Sequence, residues 1–353
     1  MELERGESQV KGAAQDQGQG EYRSGFITIM GRPNAGKSTL LNALSGEYLA
    51  IVSPKAQTTR HSIRYIYTDD EAQCIFVDTP GVHKPQHKLG DYMMNSLKES
   101  LDGADIVLLV LDAGKGRLNS HEEELIQSRQ RQGRPLILAL NKVDSLPKEK
   151  LLPIMAQAQA LGLTHIVPIS ALKAQGLELL LREVKALLPP GPLYYDPEDF
   201  TDQSERKLAE ELVREKILRN LYEEIPHGTG VLIQKFEEFF SGDAEPGDQD
   251  SEAACSEAGA EPGASVGASE AETGGDAEPR RRKVRISADI LCDRESHKKI
   301  LIGQGASMLK RIRLAAERDI AQVLGCRCRL ELFVKVRPDW RNRPGILRSL
   351  GYR

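Results

Sequence analysis

Two folded units are expected: an α/β domain on a mainly parallel sheet, then a smaller α+β domain. Three observations carry that reading. Short apolar runs at 26–30, 74–77, 106–111, 136–140 and 166–169 alternate with segments of helical spacing such as Leu40, Leu41, Ala43 and Leu44. Unbroken rather than alternating apolarity marks strands covered on both faces, the habit of parallel sheets sandwiched by helices. Pro189, Pro190, Gly191 and Pro192 cannot extend the helix before them, so 24–188 is taken as the first domain and 189–202 as an interdomain linker. Beyond it the pattern changes. Leu208, Leu212, Ile217 and Leu221 fall on one helix face within 205–222, and 229–240 and 284–291 have strand character. Two helical segments gather around 309–324, and 329–336 closes the series as a strand.

With 353 residues and 40% hydrophobic content, each unit can bury a core of ordinary size. No apolar run reaches the roughly 18 residues of a membrane span. Residues 1–23, read as a disordered extension, carry Glu2, Glu4, Glu7 and Asp16 where a targeting segment avoids acids. A cytoplasmic protein is expected. The five cysteines, Cys74, Cys255, Cys292, Cys326 and Cys328, lack both the doubled CxxC spacing of a zinc site and the density of a secreted scaffold. Cys326 and Cys328 are read as buried strand residues, because two thiolates need further ligands to hold a metal.

The formal charge of −4 conceals an asymmetry: residues 280–353 hold 20 Lys and Arg against 7 Asp and Glu, whereas 241–279 hold 11 acids and no base. The basic end suggests a polyanionic partner. Within 241–279 the only large aliphatic residue is Val266 and there is no aromatic, too little apolar area to offset the entropy of ordering. The second domain is therefore placed at 203–353, interrupted at a hairpin tip by a disordered acidic insert.

Gly31, Arg32, Pro33, Asn34, Ala35, Gly36, Lys37 and Ser38 join the first apolar run to a helical one, which is GxxxxGKS in a strand-to-helix setting. There the glycines let backbone N–H groups converge on phosphates and the helix dipole adds partial positive charge. Lys37 supplies a full charge and Ser38 a hydroxyl for Mg²⁺, with Thr39 in the same turn. Asp78, Thr79, Pro80 and Gly81 follow the next run; Asp78 suits the Mg²⁺ shell and the Gly81 N–H the γ-phosphate. Asn141, Lys142, Val143 and Asp144 stand at the carboxyl edge of the expected sheet, where nucleotides bind in such folds. A carboxylate at 144 accepts two hydrogen bonds from the guanine ring N–H and exocyclic amine, a pair adenine lacks. GTP and GDP are thus expected over ATP, with Ser170, Ala171 and Leu172 offering a backbone N–H to the base carbonyl.

The series GRPNAGKS, KAQTTR, DTPG, NKVD and SAL, followed by a basic domain ending in FVKVRPDW and LRSLGY, resembles the Era GTPases over 24–240 and 283–353. The resemblance implies a P-loop GTPase domain, a KH fold for the second domain, and hydrolysis of GTP. It also implies assembly of the small ribosomal subunit, through binding to the 3′ region of small-subunit ribosomal RNA in a pre-30S-type particle in one nucleotide state and release in another. Carried over residue by residue, Thr59 becomes the switch ligand of Mg²⁺, with Thr58 as runner-up, and Asn34 matches the asparagine that helps to hold potassium beside the phosphates. Val82 stands where many related switches place a water-orienting glutamine. The catalytic set is then Lys37, Asn34, Thr59 and Gly81.

A KH fold grips nucleotides on a GxxG loop between two helices. Here the segment is Gly303, Gln304, Gly305 and Ala306, and the family register puts Ala306 at the last glycine. A positive φ there costs on the order of 1 kcal/mol. Lys298, Lys299, Lys310, Arg311 and Arg313 flank the loop and suit phosphates. Trp340, near Arg337, Arg341 and Arg343, either stacks on RNA or packs against the domain. The acidic insert is either a solvated spacer or an electrostatic competitor of RNA. A monomer is expected, with a contact at the inner face of the membrane a further expectation. Two rival functions remain at this point: a nucleotide-gated scaffold at the membrane or division machinery, and a GTPase of tRNA modification.

Overall fold

The computed structural model describes residues 21–53, 55, 58–80, 87–222, 225–240 and 282–352. The expectations for residues 1–20, Gly81, Val82 and the insert 241–279 lie outside them. Contacts divide the chain into two units, one from 1–47, 62–81 and 96–202, the other from 48–61, 82–95 and 203–353.

The first unit is built on a six-stranded sheet, β1 (Arg23–Met30), β2 (Ile63–Thr68), β3 (Ala72–Asp78), β4 (Ile106–Asp112), β5 (Leu136–Asn141) and β6 (Ile166–Pro168), in the order β2-β3-β1-β4-β5-β6. Every pairing is parallel except β2 with β3. The unbroken apolar runs are the buried strands: Ile27, Ile29, Val107, Leu108, Ile137 and Leu138 are wholly covered. The edge strand β2 was not legible as a run, because Arg64 interrupts it and its far half is only partly covered. Helices α1 (Lys37–Ser45), α3 (Ser120–Arg131), α4 (Leu152–Ala160) and α5 (Leu177–Leu187) belong to this unit, and α2 (Lys88–Asp102) is divided between the two.

Residues 189–202 correct the linker expectation. They are strapped onto the first unit: the amides of Tyr194 and Tyr195 donate to Gln73 Oε1 at 2.7 and 3.0 Å, Thr201 Oγ1 donates to Arg64 O at 2.8 Å, and Ile66 N donates to Phe200 O at 3.0 Å. Proline stops the helix, yet backbone groups still demand partners, and the edge strand β2 and the Gln73 side chain of β3 supply them. The chain also joins the fold earlier than expected, since Arg23 opens β1 and its Nη1 donates to Leu188 O at 2.7 Å.

The second unit runs α6 (Glu205–Asn220), β7 (Gly230–Phe240), β8 (Arg282–Cys292), α7 (Glu295–Ile302), α8 (Ser307–Val323), β9 (Arg327–Val336) and α9 (Pro344–Ser349). β8 is central, antiparallel to β7 and parallel to β9. One face of this sheet packs on the helices through Ile286, Ile290 and Leu330 against Leu212, Ile217, Ile312 and Ile320. The helix-strand-strand-helix-helix-strand order is as the sequence predicts, although the first helix of the pair is 295–302 rather than part of 309–324. Cys328 lies half-buried on β9, and Cys326 lies in the turn before it rather than in the strand.

Segment 48–61 is threaded through the second unit. Arg214 on α6 donates to Thr58 O and is clamped by Glu211, with Nε to Oε1 at 3.0 Å. Arg60 donates to Thr229 O at 2.7 Å and His227 O at 2.9 Å. Burial pushes the Glu211 carboxyl up, but the Arg214 charge more than reverses this and holds it at about 2. Glu211→Ala would leave Arg214 and Arg60 buried without that carboxylate. The expected loss is about 3–5 kcal/mol of unfolding free energy, measured by urea denaturation. Because the folded value lies below the ordinary 4.5, this stabilisation is complete above pH 4.5 and disappears as the pH falls through about 2.

Candidate functional site

The turn after β1 is fixed by its two glycines. Gly31 has φ +151°, and a Cβ there would stand 2.2 Å from Val110 O; Gly36 has φ +99°, and a Cβ there would stand 2.2 Å from Asn141 Nδ2. Neither position admits a side chain. Gly36 caps α1 without a side-chain hydrogen bond, so the first N–H groups of the helix, from Lys37, Ser38 and Thr39, face the turn as an anion cradle. Lys37 is buried, and its Nζ donates to Gly31 O at 3.1 Å and Arg32 O at 3.3 Å. Burial holds its ammonium below the ordinary lysine range, with Asp78 acting in the opposite sense.

At the carboxyl end of β3, Asp78 is fully covered and accepts from Ser38 Oγ at 2.8 Å. A hydroxyl from the first turn of α1 and a carboxylate at the end of β3 form the hard oxygen pair that Mg²⁺ prefers. Thr79 Oγ1 donates to Ile29 O at 2.8 Å, tying this turn back to β1, and Pro80 is buried beside it.

The base side is linked to the phosphate side by two residues. Asn141 Nδ2 donates to Ala35 O at 2.8 Å, and its Oδ1 accepts from Lys142 N at 2.8 Å and Ala171 N at 2.9 Å. Lys142, in the left-handed region at φ 67°, sends Nζ to Asn34 O and to Asp112 Oδ2, both at 2.8 Å. Asn34 is itself left-handed, at φ 63°. Asp144 is exposed, and Ser170 Oγ donates to its Oδ1 at 2.6 Å. The amide of Ala171 is thus committed to Asn141 and that of Lys173 to Ser170 Oγ at 3.2 Å, which leaves Leu172, 75% exposed, as the residue of this loop for a base carbonyl.

Two members of the site, Asp112 and Glu122, escaped sequence reading. Asp112 holds the Lys142 ammonium, and its signal was a carboxylate closing an apolar strand. Arg32, expected among the nucleotide-binding residues, sends its Nε and Nη2 as a fork onto Glu122 at 2.8 and 2.6 Å, locking the phosphate turn to the first turn of α3. Thr59 is buried in segment 48–61, which groups with the second unit.

In the second unit the loop between α7 and α8 turns on three left-handed residues, Gly303 (φ 74°), Gly305 (φ 56°) and Ala306 (φ 59°). A Cβ on Gly303 would come within 2.8 Å of Met308 Cβ. Gln304, Gly305 and Ala306 are exposed, as are Lys299, Lys310 and Arg311; Lys298 is half-buried. Arg313 is partly neutralised by Glu317 at 2.6 Å. Ala306→Gly is expected to raise the unfolding free energy by about 1 kcal/mol, seen as a higher melting temperature, because alanine alone bears a Cβ penalty in this conformation. Trp340 leaves the RNA-facing set. It is wholly buried, packed with Leu89, Met93 and Leu347, and its Nε1 donates to Gly228 O at 2.9 Å.

Residues 26–142 match the 50S ribosome-binding GTPase family and residues 269–341 the KH domain family. GTPase Era of Ruminiclostridium cellulolyticum is 39% identical over 94% of this chain and 98% of its own length, and that of Alkaliphilus metalliredigens is 38% identical over 94% and 99%. The chain belongs to the Era family of GTPases. A crystal structure of Aquifex aeolicus Era bound to GDP and AlF4⁻ superposes with a TM-score of 0.77 at 35% identity, covering 94% of this chain and 99% of the other. A crystal structure of Era with MgGDPNP and nucleotides 1506–1542 of 16S ribosomal RNA gives 0.78, with the same identity and coverage. As an Era-family GTPase, the chain joins a GTPase domain to a KH domain.

Proposed function

We propose that this GTPase binds small-subunit ribosomal RNA near its 3′ end and assists small-subunit assembly, with nucleotide state controlling RNA affinity. The observation that supports it most strongly is the likeness, over nearly the whole of both chains, to an Era structure holding MgGDPNP and that RNA segment. Mg²⁺ would be held by Ser38 and Asp78, joined by Thr59 in the GTP state, and would neutralise charge on the phosphates. Asp144 reads the base, and the Leu172 N–H meets its carbonyl. Lys37 would stabilise charge at the β–γ bridge, aided by the Gly81 N–H, and Asn34 would be the residue to hold potassium, which would supply a further positive charge.

Segment 48–61 offers the route from nucleotide to RNA. Thr59 lies between Thr58, whose carbonyl takes Arg214, and Arg60, which holds the Thr229 and His227 carbonyls. A shift of 48–61 would therefore act on α6 and on the start of β7, and so on the packing of the KH unit. The protein is read as a cytoplasmic monomer; among the described residues no helix is long and apolar enough to cross a membrane.

The test is crosslinking in cells followed by sequencing of the bound RNA, for wild type and Lys37→Ala. Enrichment of the small-subunit 3′ end in wild type alone is expected. Enrichment of transfer RNA, or of no RNA, would replace this reading with one of its rivals.

A further inference from the structure

On the side of the β7–β8–β9 sheet turned away from the helical core, Leu232 and Leu291 are covered by Trp340 and Leu347, but toward the β7–β8 tip the described residues leave β9 exposed, and its composition there is not that of an inert surface. On β9 the side chains of Arg327, Arg329, Glu331, Phe333 and Lys335 alternate outward with the buried Leu330 and Leu332, and Lys335 is paired with Asp289 at 2.7 Å. Register places Lys283 beside Arg327 and Arg285 beside Arg329. Two rows of paired cations therefore start at the β7–β8 tip, with Arg327 and Arg329 about 7 Å apart along the strand. Among the described residues no carboxylate forms an ion pair with either arginine. Farther along lies an open concavity of about 280 Å³, lined by Lys235, Glu237, Arg285, Ser287, Glu331 and Phe333. The Phe333 ring is 51% exposed, an uncommon position for phenylalanine on a sheet without a partner.

We propose that this outer sheet face is a second RNA-binding surface, a track for single-stranded RNA on which Arg327 and Arg329 hold phosphates and Phe333 stacks a base. The inference rests on the reading of this chain as an RNA-binding protein, but it places the contact on the opposite side of the sheet from α7, α8 and their loop. Three features favour RNA as the occupant. The cations at the tip are presented as a strip, which matches a chain of phosphates better than a compact anion. The exposed ring supplies the stacking platform that sequence-tolerant single-strand binding uses. Glu237 and Glu331 in the concavity accept hydrogen bonds from exocyclic amines, which favours cytosine or adenine over uracil there.

The test uses the full chain and two RNAs, one of about 5 nucleotides, enough for a KH groove, and one of about 20 that can extend past it. Affinity is measured against salt by fluorescence anisotropy. For the longer RNA, Arg327→Ala with Arg329→Ala is expected to weaken binding and to reduce the slope of log affinity against log salt by about 1.4, the value for two single-strand phosphates. Arg329→Lys in place of Arg329→Ala should restore part of that slope. Phe333→Ala is expected to cost about tenfold with the slope unchanged. The shorter RNA should bind all variants as it binds wild type, which also shows that the variants are folded. Unchanged affinity and slope for the longer RNA would overturn the second surface while leaving the KH loop untouched. A wild-type protein that bound neither RNA would overturn the RNA-binding reading itself, and this surface with it.

Discussion

Asp144→Asn is expected to weaken GTP binding by about 100-fold or more and to confer affinity for xanthosine triphosphate. A carboxylate is acceptor-only, so both Asp144 oxygens can take N–H groups from the base edge. Ser170 Oγ already donates to one of them at 2.6 Å and fixes the plane in which they lie. An asparagine turns one acceptor into a donor, which faces the guanine exocyclic amine and leaves two donors opposed. Xanthine carries a carbonyl at that carbon and restores the pair. The phosphate turn should be unaffected, because Asn141 and Lys142, not Asp144, hold Ala35 and Asn34. Competition titrations with a fluorescent guanine nucleotide separate the outcomes; equal loss of both triphosphates would mean that Asp144 supports the loop rather than reading the base.

Lys37→Ala is expected to slow GTP hydrolysis by about 10²–10³-fold, the loss found when one preorganised charge is taken from a transition state. The ammonium sits among carbonyl oxygens of its own turn, at Gly31 and Arg32. It is therefore already desolvated and oriented before substrate arrives. Burial weakens its hold on the proton while Asp78 supports it, so much of its cost is met in the folded protein. Single-turnover hydrolysis at saturating GTP isolates the chemical step from binding. A rate within a few-fold of wild type would assign the charge stabilisation elsewhere.

The parts of the site that sequence reading located are those encoded within one short string. GxxxxGKS and NKxD each lie where a buried strand ends, so local apolarity fixes both their geometry and their position at one edge of the sheet. The parts it missed depend on partners distant in the chain. Nothing near Arg32 announces Glu122, and nothing near Trp340 announces Gly228 or the apolar faces of Leu89 and Met93. The grouping of 48–61 with α6 has the same origin: Arg214 meets Thr58 156 positions away. Proline at 189–192 correctly marked the end of a helix but carried no information on whether the following chain was free, because that is decided by the open edge of β2 and by the Gln73 side chain on β3. At Ala306 the family register implied a strained residue, and the backbone adopts φ 59° there rather than shifting the loop.

The most direct measurement is calorimetric titration of the purified wild-type chain with GTP, GDP and ATP in magnesium buffer. Binding of both guanine nucleotides, with ATP weaker by at least about a thousandfold, is the expected result. Comparable affinities for GTP and ATP would contradict the assignment of Asp144 to the base and, with it, the nucleotide switch built on that site.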